Sequence, residues 1–166
     1  IIDSFLSAED KNFFNQPGVD AKGIIRATIN NITNILGDKR LEGASTITQQ
    51  VAKNFLLTNE VSLNRKIKEA ILAFRIERAL TKERILELYL NQIYLGSGTY
   101  GVAAASLEYF DKSIKELDYA EAALLAALPK APSKYNPYRD IKLAKFRRDL
   151  VLKNLLDNGY LSEINF

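Results

Sequence analysis

Apolar residues recur every three or four positions along most of this chain, and almost nowhere do they alternate one by one. A helix with one buried stripe has that three-to-four period, whereas a strand with one buried face would have a period of two. The chain is therefore confined to a fold built from helices. Ser7 followed by Asp10 reads as a cap with its third-position acid, opening a short helix that Pro17 and Gly18 stop. Ile24, Ile25, Ile29, Ile32 and Ile35 predict a helix over Ala21 to Leu36, closed by Gly37 and followed by a loop to Gly43. Ser45 or Thr46 caps a helix running to about Leu57.

The segment Asn64 to Leu80 places Ile67, Ala70, Ile71 and Phe74 on one face, predicted to be the buried one, with charges opposite. Thr81 caps the next helix, through Ile85, Leu88, Tyr89 and Ile93, which Gly96, Ser97 and Gly98 interrupt. Another helix runs from about Gly101 to Tyr109. Asp118 and Glu121 form a capping box ahead of an Ala/Leu helix that ends at Pro129. Pro129 to Pro137 is an extended loop, and a last helix spans about Asp140 to Asn158 with Gly159 as its stop. No repeat and no composition break divides the chain, so the expectation is one all-α domain over residues 1–166.

Composition removes whole classes of chemistry. There is no cysteine and no histidine, so no disulfide, no thiolate metal site and no imidazole base exist. Acid–base work must fall to carboxylates, Lys or Tyr. The net charge of +3 suits an anionic partner without choosing among nucleic acid, phosphorylated ligand and acidic membrane. No dense basic face or nucleic-acid motif accompanies it, so no nucleic-acid partner is expected. The longest apolar run, Ala122 to Leu128, is far short of the ~20 residues that span a bilayer. A chain that starts at Ile1 and has no methionine is expected to be a piece of a longer one.

Five stretches combine polar residues in ways that scaffolding alone does not require. Glu9 and Asp10 precede Phe13 and Phe14. Their plain reading is two acids stabilising a positive helix N-terminus, worth about 0.3–1 kcal/mol; the functional one is a carboxylate base against aromatic walls. Ser45 to Gln50, with Lys53 and Asn54, concentrates donors at a helix start, where backbone N–H groups favour anions. Arg65, Lys66 and Glu69 form either a surface ion pair or cations meeting a phosphate. Tyr89, Asn91, Gln92 and Tyr94 lead into Gly96, Gly98 and Gly101, which suits close helix packing. Pro129 to Pro132 with Tyr135 to Pro137 makes a stiff connector.

Taken in order, these stretches resemble the five motifs of the family 51 glycosyltransferases, the glycosyltransferase domains of class A penicillin-binding proteins and the monofunctional glycosyltransferases. They read Glu9-Asp10-Lys11-Asn12-Phe13, Gly43 through Asn54, Arg65 through Ala70, Ile85 through Gly96, and Leu128 through Pro132 with Tyr135-Asn136-Pro137, and they cover nearly the whole chain. The resemblance implies a lysozyme-like all-α fold with a small membrane-associating subdomain, for which Ile24 to Leu36 is the candidate. It implies that lipid II is polymerised into β-1,4-linked glycan with release of undecaprenyl pyrophosphate.

Glu9 would be the general base and Glu69 a second catalytic carboxylate, the latter also the candidate ligand of a divalent cation, Mg2+ or Mn2+. Lys53, Arg65 and Lys66 would stabilise the leaving pyrophosphate. Asp10, Phe13, Ser45, Thr46, Gln49, Gln50 and Asn54 would shape the substrate cleft. The implied partners are lipid II, the growing glycan, a membrane surface and phosphoglycolipid inhibitors such as moenomycin. The implied location is the outer face of a bacterial cytoplasmic membrane, with an anchor preceding Ile1.

Two positions depart from the family pattern. Gln16 stands where a His is usual, and Val61 where an Arg thought to touch the lipid pyrophosphate is usual, which implies weaker donor binding. Two other readings compete. A lysozyme-like hydrolase would share the fold but would have no use for a pyrophosphate-holding stretch. A non-catalytic lipid II-binding scaffold would have no use for both Glu9 and Glu69.

Overall fold

The structure, a computed structural model, describes residues 1–20, 45–56 and 63–162. Seven helices lie among the described residues: α1 (Ile2–Glu9), α2 (Ile47–Leu56), α3 (Leu63–Ala79), α4 (Lys82–Gln92), α5 (Val102–Phe110), α6 (Tyr119–Ala127) and α7 (Ile141–Asp157). The expected all-α class holds for these residues. The helix expected over Ala21 to Leu36, the loop after it and Val61 lie outside them. No described helix is long and apolar enough to cross a membrane.

The chain divides into two compact units, residues 1–11 with 87–166 and residues 12–86. Sequence gave no sign of this division, because one of its boundaries falls inside α4, where neither periodicity nor composition changes.

In the first unit α1 packs against α6 and α7, and α6 packs along α7. The Ala122 to Leu128 run is buried throughout, which small side chains allow by letting helices approach closely. Phe5, Leu125, Leu128, Val151 and Leu155 are at most 1% exposed, and each such large side chain contributes about 1.5–3 kcal/mol by leaving water. Asp118 caps α6 in a reciprocal capping box with Glu121, and Asp140 caps α7 through the Leu143 N–H at 2.9 Å, both as the sequence predicts.

Two strands too short to leave an alternating pattern, β1 (Tyr94–Gly96) and β2 (Thr99–Tyr100), form an antiparallel ribbon after α4. Gly101 follows it at φ +81, and a Cβ there would lie 2.5 Å from the Asn91 carbonyl oxygen. Only glycine can supply both that backbone angle and that approach.

In the second unit α2 packs on α3. Ile47, Val51, Ala52, Phe13, Ala73 and Ile85 are buried. Here two expectations fail. The predicted buried face of α3 is its exposed one: Ile67, Ile71 and Phe74 are 52%, 48% and 46% exposed, while Glu69 and Ala73 are 1% and 0%. Periodicity locates a stripe but not its partner, and the face covered here is the one that carries Glu69 and Ala73. Ser7, expected to cap a helix, sits in the last turn of α1, where its hydroxyl accepts from Asn158 Nδ2 (3.2 Å) and its carbonyl from Asn154 Nδ2 (3.2 Å). Those two asparagines of α7 occupy the groups a cap would have used.

Candidate active site

Glu9 and Asp10 belong to the first unit and the remaining predicted residues to the second. Each set is described within its own unit.

Glu9 is the last residue of α1, and Asp10 is its C-cap, with the cap N–H on the Leu6 carbonyl. This overturns the plain reading of the two acids. They stand at the negative end of the helix, where a carboxylate is disfavoured, not at the positive end where it would be stabilising. Asp10 is 8% exposed and Glu9 half-buried. Behind them Tyr89 of α4 is buried, its ring edge-on to Phe5 with 6.2 Å between centroids. Burial first, then the charges of Glu9 and Asp10, pushes the Tyr89 hydroxyl well above the usual tyrosine range.

In the second unit Thr46 fixes the start of α2. Its hydroxyl accepts from the Gln49 N–H (3.1 Å) and donates to the Gly18 carbonyl (2.6 Å), while Gln49 Oε1 accepts from the Thr46 N–H (3.0 Å). This is a Thr/Gln capping box, and it settles the choice between Ser45 and Thr46. Ser45 instead receives the Lys66 ammonium (2.7 Å), which also donates to Glu69 Oε1 (2.5 Å). Glu69 Oε2 is buried and has no hydrogen-bond partner among the described residues. Lys66 keeps 46% of its side chain exposed. An ammonium has three donors, so one remains for a further acceptor.

The predicted residues thus separate by exposure. Lys53, Asn54 and Lys66 face solvent, and Ser45, Gln50 and Arg65 are intermediate. Phe13, Thr46 and Gln49 are inside, at 1%, 2% and 4%, and their side chains are engaged within the unit. Sequence reasoning missed a further polar cluster. Glu77 of α3 accepts from Thr48 Oγ1 (2.5 Å) and Lys82 Nζ (2.8 Å), and Lys82 also donates to the Gln16 carbonyl (2.6 Å). Lys82 lies 4.5 Å from the Phe13 ring centroid. This cluster ties the loop carrying Phe13 and Gln16 to α2 and α3. Glu77 and Lys82 look like ordinary surface charges in sequence, so no signal announced it.

The end of the fourth motif is held from two sides: Asn136 Nδ2 of the fifth motif donates to Ser97 Oγ, one residue past the fourth (3.0 Å), and the hydroxyl of Tyr109, outside both motifs, donates to the Leu95 carbonyl (2.9 Å). A cavity of 390 Å³ is lined by Ser133, Lys134, Arg139 and Asp140, none of them a predicted site residue. Among the described residues no group of three acidic side chains could hold a metal ion. Glu69 offers a single open oxygen, so a metal centre built by these side chains alone does not fit.

The first unit carries carboxylates where stability would not place them, and the second carries a helix start rich in hydrogen-bond donors, the make-up of a group-transfer enzyme. The chain belongs to the transglycosylase family, the family 51 peptidoglycan glycosyltransferases, which matches it over residues 1–156. It is 61% identical over 163 residues to penicillin-binding protein 1A of Rickettsia felis, covering 98% of this chain and 21% of that protein. It is 54% identical to penicillin-binding protein 1A of Aquifex aeolicus, covering 98% and 22%. The crystal structure of penicillin-binding protein 1A from Haemophilus influenzae is 38% identical, with a TM-score of 0.49 over 72% of this chain and 14% of that one. The chain spans about a fifth of the length of the curated relatives it matches.

Proposed function

We propose that this chain, residues 1–166 taken as one glycosyltransferase domain, polymerises lipid II into β-1,4-linked glycan at the outer face of a bacterial cytoplasmic membrane. Glu9 takes the proton from the 4-hydroxyl of the acceptor lipid II. The freed oxygen forms a bond to the anomeric carbon of the growing chain. The bond from that carbon to the pyrophosphate breaks with inversion, and undecaprenyl pyrophosphate leaves. Lys53, Arg65 and Lys66 stabilise the charge that collects on the leaving group. In the second unit Phe13, Thr46 and Gln49 support the substrate-binding residues from inside, and Ser45, Gln50 and Asn54 meet substrate; in the first unit Asp10 does so.

One observation carries the reading: Glu9 and Asp10 close α1 at its negative end, an arrangement that costs stability and is explained by proton transfer. The Lys66 ammonium, held between Ser45 and Glu69 with one donor to spare, supports a phosphate oxygen as the ligand. Were a divalent cation to take part, Glu69 would be the side chain that holds it, and the cation would supply positive charge to the leaving pyrophosphate. Phosphoglycolipids such as moenomycin compete for the same cations.

The chain incubated with lipid II and Mg2+ in detergent should yield a ladder of glycan polymer and free undecaprenyl pyrophosphate. Shortening of added glycan strands without polymer would establish the hydrolase instead. Binding of lipid II with no product of either kind would leave the chain a scaffold.

A further inference from the structure

Tyr89 is buried chemistry that the mechanism has not used. It is 1% exposed, and its hydroxyl has no hydrogen-bond partner among the described residues. An unsatisfied buried hydroxyl is costly, and a phenylalanine would fill the same space against Phe5 without that cost. Phe5 and Glu9 are four residues apart on α1, so they share one helix face, and the ring packed on Phe5 lies under the face that carries Glu9. The charges of Glu9 and Asp10 both act on the phenol, which places the hydroxyl within electrostatic reach of the two carboxylates.

We infer that Tyr89 is a positioning residue for Glu9, its hydroxyl serving through one bridging water as the neutral donor that holds the Glu9 carboxylate ionised and oriented. This rests on the reading of Glu9 as the general base. Burial and the two acids keep the phenol protonated, so it can give a hydrogen bond to a carboxylate but cannot compete as a base. A neutral donor offsets both the negative end of α1 and the like charge of Asp10 without cancelling the basicity of Glu9, as a lysine in its place would. Glu87 of α4 is a further acid, and α7 brings Asn154 and Asn158 to Ser7.

The test is the titration of the Glu9 carboxyl, followed by NMR of the chain with carbon-13-labelled glutamate side chains, with Glu9→Gln identifying the resonance. Tyr89→Phe keeps the ring and removes the donor, so the Glu9 midpoint should rise by about half a pH unit to one unit. The acid limb of the polymerisation rate should move with it, with kcat lowered and KM little changed. An unmoved midpoint, with Tyr89→Phe simply more heat-stable, would make the hydroxyl a packing defect and overturn the inference. A shifted midpoint in a chain that makes no polymer would sustain the Tyr89–Glu9 link and count against the glycosyltransferase reading.

Discussion

Replacing Thr46 by valine tests how the start of α2 is held. Valine matches the shape of threonine and lacks the hydroxyl that donates to the Gly18 carbonyl at 2.6 Å and accepts from the Gln49 N–H at 3.1 Å. Thr46 is 2% exposed, so water cannot readily take its place. Leaving a buried polar group unsatisfied costs about 1–3 kcal/mol, and losing a threonine cap costs about 0.5–2 kcal/mol. The Gln49 N–H is common to both figures, so the expected loss is about 2–4 kcal/mol. At about 2–4 °C per kcal/mol for a chain of this size, the melting temperature should fall by roughly 5–15 °C. Thr46→Ser keeps both hydrogen bonds and should stay within about 1 kcal/mol of the parent. Urea unfolding followed by circular dichroism reads both variants. If valine costs under about 0.5 kcal/mol, or serine costs as much as valine, the hydroxyl is not what fixes this helix start.

Three further outcomes follow from named contacts. Lys66→Met removes the ammonium from a Glu69 side chain that is 2% exposed; because Lys66 is itself half in water, the loss should be about 1–3 kcal/mol, below the figure for a fully buried pair, and lipid II binding should weaken by calorimetry. Gly101→Ala puts a methyl group 2.5 Å from the Asn91 carbonyl at φ +81 and should cost at least about 2 kcal/mol in denaturant unfolding, whereas Gly98→Ala, with open space around it, should cost no more than its own positive φ demands. Tyr89 has a raised folded-state pKa, so its contribution to stability is intact below the unfolded value of about 10 and is lost as pH climbs beyond it; alkaline unfolding should therefore begin at higher pH in Tyr89→Phe than in the parent.

What sequence could supply here were the local rules. Thr46, Asp118 and Asp140 each accept from a backbone N–H three residues on, because a cap is written in residues next to one another. Faces were harder. The Ile67, Ile71, Phe74 stripe was legible as a stripe, but the covered face is the one against which Gly18 lies, 55 positions before Ala73, its missing side chain allowing close approach to Ala73 and Glu77. The ribbon of β1 and β2 is too short to alternate. Ser7 matched a capping pattern whose decisive partners, Asn154 and Asn158, lie some 150 residues away. The motifs named Glu9, Lys66 and Glu69, while the Glu77–Lys82 cluster and the Tyr89 hydroxyl needed coordinates, since a buried polar group and a surface one look alike in sequence.

The central claim is that Glu9 is the base of a sugar transfer. Its most direct test is the initial rate of lipid II polymerisation by the parent and by Glu9→Gln, with lipid II affinity measured on both. The account expects the rate to fall by about 100-fold or more while affinity stays within about threefold of the parent. A Glu9→Gln chain that polymerises at the parent's rate would contradict it.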